Sequence, residues 1–186
     1  MNHIAGERGA NFLMSGDKIE ISASEYYRKS SLIPLLSWRV STAVAFGDHR
    51  LDFDLPGRRV VRTNDDGSEV VAVIHDGFKG RKLRHLFGTF ESDTFVVTKR
   101  RQDWLSTLTG NVVFEITLKE SGESFSVLAM RFNFYDAFKV GDIMELRLIR
   151  GFKYKVEGTC AEGYQDLAEM IASLLLYHSE DDGPSG

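Results

Sequence analysis

The chain has 186 residues, 42% hydrophobic and 27% charged, with a formal net charge of −4. These values describe an ordinary globular protein and exclude a disordered or fibrous chain. A single cysteine, Cys160, rules out an intramolecular disulfide and a thiolate zinc centre, and it fits a reducing compartment. The length suits one domain, and a domain of this size buries about 70% of its unfolded surface without needing a staple.

The opening "MNHIAGERGANFLMSG" has no basic flank followed by an apolar core, so no secretory signal is expected. Met1-Asn2 also lacks the glycine that myristoylation uses. The expected location is cytoplasmic, with peripheral attachment at a membrane. Residues 1–15 read as a flexible N-terminus and 16–179 as one β-barrel domain. Residues 180–186 read as an acidic, flexible tail.

Within the domain, "DKIEISA" (17–23) reads as a strand, and "ASEYYRKSS" (23–31) as a short helix or a loop. Pro34 forbids a long helix after it. Strand patterns follow at "HRLDFDL", at "RRVVRT" and "SEVVAVI" around the "NDDG" turn (64–67), and at "RHLFGTF" and "DTFVVT". "VVFEITLKE" (112–120) alternates through Phe114, Ile116 and Leu118, and Ser121-Gly122 links it to "SFSVLAMRFNF". "MELRLIR" alternates through Met144, Leu146 and Leu148, and "FKYKVE" through Phe152, Tyr154 and Val156. Eight to ten short strands without intervening helices predict an antiparallel barrel or sandwich.

The last element is helical, expected at about 161–179. Leu167, Met170, Ile171, Leu174 and Leu175 recur at helical spacing, and Ala168, Ala172, Leu176 and Tyr177 widen that stripe to most of the surface. Thr159 and Glu162 are spaced for a capping box. From Met170 to Ser179 only ten residues lack an acidic or strongly basic charge, against the roughly 20 a membrane span needs. No transmembrane segment is expected, and the helix reads as a strut inside the fold. The fold class is therefore all-β with one helix: a closed antiparallel β-barrel around or against a hydrophobic C-terminal helix. Glu169 and Ser173, four apart on one side, leave room for a helix-grip arrangement with a ligand cavity.

Chemical motifs are sparse. The five histidines show no H-E-x-x-H spacing, and there is no G-x-S-x-G elbow or phosphate loop. "NDDGSE" has Arg62 where a calcium loop needs its first acid. No metal and no cofactor are expected. In "DHRLDFD" (48–54) Asp52 and Asp54 share a strand face about 7 Å apart, a spacing open to acid–base chemistry or to a plain solvated face.

Charge distribution is the one distinctive feature. Residues 78–101 hold Lys79, Arg81, Lys82, Arg84, Lys99, Arg100 and Arg101 against Glu91 and Asp93, so this segment is +5 and the remainder −9. A hairpin made of "RHLFGTF" and "DTFVVT" brings both basic clusters to one rim. Such a rim attracts polyanions: a phosphoinositide headgroup or acidic membrane, or an acidic protein partner, with nucleic acid ranked behind them. Trp104, just beyond, is a candidate membrane contact.

The strand succession, the "D-x-x-G"-like turn at Asp54–Gly57, and the closing "MELRLIRGFKYKVEGTCAEGYQDLAEMIASLLLYH" resemble the tubby C-terminal-like superfamily over about residues 46–178. That group comprises the tubby proteins, the phospholipid scramblases and the LURP-one-related proteins. The resemblance implies a roughly twelve-stranded barrel around a hydrophobic helix, and a cationic rim facing membrane phosphates. The cysteine-rich lipidated segment and the calcium loop of scramblases are missing here, so scrambling is not carried over. The expected function is a non-enzymatic lipid- or membrane-surface adaptor working through the basic rim. The other readings are a helix-grip protein holding a small apolar ligand and, third, an enzyme using the 48–54 carboxylates.

Overall fold

The computed structural model describes residues 18–23, 25–29, 41–54, 57–75, 88–99, 113–131, 135–151 and 153–181. Thirteen strands are present among them: β1 (Lys18–Ala23), β2 (Glu25–Lys29), β3 (Ser41–Phe46), β4 (His49–Asp54), β5 (Arg59–Asn64), β6 (Gly67–His75), β7 (Gly88–Glu91), β8 (Phe95–Lys99), β9 (Val113–Leu118), β10 (Ser124–Arg131), β11 (Tyr135–Val140), β12 (Met144–Ile149) and β13 (Lys155–Ala161). One helix, α1 (Gln165–Asp181), follows. "EYYRK", read from sequence as a helix or loop, is strand β2, paired with β3.

All thirteen strands form one antiparallel sheet in the order β1-β13-β12-β11-β10-β9-β8-β7-β6-β5-β4-β3-β2. From β2 to β13 each strand pairs with its chain neighbour, and β1 returns to pair with β13 (Lys18↔Ala161 through Ala23↔Val156). The expected closed barrel is corrected here: no ladder joins the edges β1 and β2 among the described residues, so the sheet is open. Residue 24 alone separates these two edges in the chain. β1 also approaches β3, next to the opposite edge, so the sheet curls back on itself. The physical reason is that this stretch changes partners, with β1 laddered to β13 and β2 to β3.

Period-two patterning sets the inner face. On β12 Met144, Leu146 and Leu148 are buried while Arg147 faces outward beside Glu145 at 2.9 Å. On β9 Phe114, Ile116 and Leu118 are buried. The tight turns carry residues suited to them: Gly47 takes φ +44° in the two-residue link between Phe46 and His49. Asn64 Oδ1 accepts from the backbone N–H groups of Asp66 and Gly67 in the link to β6. Gly158 faces Leu146 on β12, where a Cβ would sit 2.0 Å from the Glu145 carbonyl oxygen, so only glycine permits that approach.

The helix begins later than expected. Thr159 lies in β13, so the Thr159–Glu162 capping box does not form; Gly163 turns the chain at φ +86° and α1 starts at Gln165. All ten residues from Leu167 to Leu176 are buried, Glu169 and Ser173 included. A helix covered on every face requires apolar surface all round it. β13, β1, β12 and β3 pack directly against it, joining a core that includes Phe53, Phe90, Phe114 and Phe138.

Candidate functional site

Of the basic rim, Lys79, Arg81, Lys82, Arg84, Arg100, Arg101 and Trp104 lie outside the described residues. Lys99 is the last residue of β8, and its ladder partner is Gly88, the first of β7. The expected hairpin is therefore present.

The carboxylates singled out on β4 are not brought together as a pair. Asp52 accepts from Arg50 Nε at 2.9 Å and from Thr63 Oγ1 at 3.3 Å. Asp54 accepts from Arg59 Nε at 2.9 Å and from the Gly57 backbone N–H at 3.1 Å. Both are partly exposed, while Leu51 and Phe53 between and beside them are buried. This is the solvated face of a strand.

The inner face holds a polar cluster that sequence reasoning missed. Glu169, 1% exposed, is held from three sides. His49 Nε2 lies 2.8 Å from Oε2, Arg62 Nη2 donates to the same oxygen at 3.2 Å, and Gln165 Nε2 donates to Oε1 at 2.8 Å. Arg62 also donates to Asp166 at 2.5 Å and to Glu69 at 3.2 Å. His49 Nδ1 faces Asp48 Oδ1 at 2.9 Å and its ring stacks on Phe46, centroids 5.5 Å apart. Strand register explains the convergence. Arg62 pairs with the buried Leu51 and so shares its inward face, and His49 is the next inward position of β4. Helix α1 enters at this end, one turn before Glu169, and Asp166 in that first turn suits the positive end of the helix dipole.

Burial would lower the basicity of His49, and Arg62 acts in the same direction. The hydrogen bonds to Asp48 and Glu169 and the Glu169 charge outweigh both, so the imidazole is held above its ordinary value. Asp48, fully exposed, is held below the carboxylate range by its hydrogen bond to His49. Desolvation works against the Arg62 charge, but the bonds and charges of Asp166, Glu169 and Glu69 raise its affinity for the proton. Burial, reinforced by Glu169, pushes the Cys160 thiol up, which makes it a poor nucleophile. Arg62 Nε is buried without a partner among the described residues. A buried carboxylate neutralised by a histidine and an arginine ties β4, β5 and α1 together. Among the described residues no group of three potential ligands is arranged to hold a metal ion.

The signal that points to this cluster is phase. His49 falls in step with Leu51 and Phe53, Arg62 with Val60, and Glu169 inside a run of helical core positions. Three polar residues each in a core register are a set that must find one another. Among the described residues, no helix is long and apolar enough to cross a membrane. Comparison with known proteins finds no matching family model, no matching curated protein and no matching solved structure.

Proposed function

We propose that the protein is a non-enzymatic adaptor that binds anionic lipid at a membrane surface through Lys79, Arg81, Lys82, Arg84, Lys99, Arg100 and Arg101. The observation that carries this reading is the concentration of seven cations in the two segments flanking one hairpin end, in a chain whose remainder is −9. Each Lys or Arg near an anionic bilayer contributes about 1 kcal/mol, so the set amounts to useful affinity without a built pocket. The resemblance to the tubby C-terminal-like superfamily supports the same reading, as does the single sheet curled round a core helix. Attachment is peripheral and the compartment cytoplasmic, in keeping with a lone buried thiol. The helix-grip alternative is less well supported, because residues 167–176 are buried on all sides and the polar Glu169 among them is taken up by His49, Arg62 and Gln165.

The test is co-sedimentation with phosphoinositide-containing and neutral vesicles at two salt concentrations. Arg100→Glu with Arg101→Glu is expected to remove most binding to the charged vesicles and leave the melting temperature unchanged. Raising salt weakens wild-type binding, because the attraction decays over about 8–10 Å. Equal binding to both vesicle types, or none to either, sinks the adaptor reading. A salt-sensitive shift with RNA alone moves the assignment to nucleic acid.

A further inference from the structure

His49 stands between two carboxylates of very different exposure. Asp48 is 96% exposed and Glu169 1% exposed, while the imidazole itself is 11% exposed. Both ring nitrogens face a carboxylate oxygen, at 2.9 and 2.8 Å. A neutral imidazole carries one N–H and one lone pair, so it can satisfy only one of these contacts; the imidazolium satisfies both. Among the other groups in the network, the Glu169 charge favours the cation and Arg62 opposes it. Asp48 comes from the β3–β4 turn, Arg62 from β5, Glu69 from β6, Cys160 from β13, and Gln165, Asp166 and Glu169 from α1. Three carboxylates, Glu69, Asp166 and Glu169, meet the permanent cation Arg62, while Asp48 and Glu169 flank His49.

We propose that His49 is a pH-sensitive fastener. Protonated, it ties the exposed β3–β4 turn to the buried Glu169; neutral, it keeps Glu169 and releases Asp48. The order of release follows from burial. Losing the Nε2 contact takes a donor from a carboxylate that water cannot reach, whereas losing the Nδ1 contact returns Asp48 to water at little cost. The proton therefore leaves from Nδ1, and the lone pair left there repels Asp48 out of the bridge.

The sign is fixed by the direction of the His49 shift. Its affinity for the proton is higher in the folded chain than in the unfolded one. The fastener's contribution is complete below the unfolded value of about 6.5 and is lost as pH rises through the folded value above it.

The experiment follows the His49 ring resonances by NMR against pH in the full chain, assigned by their loss in His49→Gln. In wild type the midpoint is expected above about 6.5, and in Asp48→Asn it falls toward the ordinary value. The backbone amides of Gly47 and Asp48 shift with the same midpoint in wild type and not in Asp48→Asn. Because Asp48 is on the surface, that variant folds even if His49→Gln does not. A wild-type midpoint at or below the ordinary value overturns the proposal, as does an unchanged midpoint in Asp48→Asn. A third readout is the fall in melting temperature between pH 6 and pH 9, expected to be steeper in wild type than in Asp48→Asn. Parallel profiles would count against the fastener.

Discussion

The outer and inner faces of the sheet treat carboxylates in opposite ways. Asp52 and Asp54, on the outer face of β4, each meet one arginine at 2.9 Å with water at hand. Glu169, on the inner side, meets His49, Arg62 and Gln165 with 1% of its surface exposed. The ion-pair distances are alike, and the energetic consequences are not. Outside, water replaces a lost partner, so an exposed pair contributes about 0–1 kcal/mol. Inside, nothing replaces it, and breaking a buried pair costs about 3–5 kcal/mol because a charge is left without compensation. A count of salt bridges would weigh them equally; burial separates them.

The most severe way to sharpen that contrast is an interior carboxylate with no partner at all. Leu174 is fully buried, and it lies a little more than one turn beyond Glu169 on the same helix. Leu174→Asp is expected to cost about 4 kcal/mol or more, against a typical total stability of about 5–15 kcal/mol. Loss of the soluble folded protein, or a collapse of its melting temperature, is the expected outcome. An unchanged melting temperature would show that the helix is not enclosed.

Next in size is the removal of one partner from the existing cluster. Arg62→Met keeps much of the apolar stem and deletes the guanidinium that Glu169, Asp166 and Glu69 share. A loss of about 3 kcal/mol in chemical denaturation is expected. The double variant Arg62→Met with Glu169→Met should lose less than the two single losses added, since neither charge is then stranded. Strict additivity would mean that the two residues do not interact, and the inside–outside contrast would fail at its centre.

Much of this was legible in the sequence, and the limits have physical causes. Alternation in "MELRLIR" and "VFEITL" put Leu146, Leu148, Phe114 and Ile116 on the core face, where they are. The helical stripe from Leu167 to Leu176 announced a buried helix, although "EYYRK" did not announce β2. Its two tyrosines sit next to each other, so period two gives no single inward face. The helix start was misplaced because Thr159 and Glu162 have capping-box spacing but Thr159 is committed to the β13 ladder with β1 and β12. Closure could not be decided locally either, because the edges β1 and β2 are one residue apart in the chain and twelve places apart in the sheet. Asp52 and Asp54 have the spacing of a carboxylate pair, yet the carboxylate enclosed by the helix and sheet is Glu169. Its partners His49 and Arg62 lie over 100 positions away in the chain. Period reports which face a residue takes, but it is silent about which distant residue it will meet there.

A middle case tests whether exposure alone sets the scale. Asp54 accepts from Arg59 and also from the Gly57 N–H, so it closes the turn between β4 and β5 as well as pairing a charge. Asp54→Ala removes both and is expected to cost about 1 kcal/mol, most of it from the unmet backbone donor. The melting temperature should fall by a few degrees with no change in the sheet signal by circular dichroism. A cost comparable to that of Arg62→Met would mean the outer face is as demanding as the inner one.

The smallest effect belongs to Asp52→Asn. Asp52 is 27% exposed and its arginine 56% exposed, so water already screens the pair and can take over from it. The amide keeps an oxygen that can accept from Thr63 Oγ1, leaving only the charge to be lost. Arg50 is then free to turn into solvent and regain the rotamer freedom that pairing restricts. The expected change is below about 0.5 kcal/mol, and it should shrink further at high salt. Urea denaturation of wild type and variant at low and high salt measures both. If Asp52→Asn instead cost several kcal/mol and resisted salt, the outer carboxylates would be as tightly bound as Glu169. Exposure would then no longer explain why one face of this sheet tolerates the loss of a charge and the other does not.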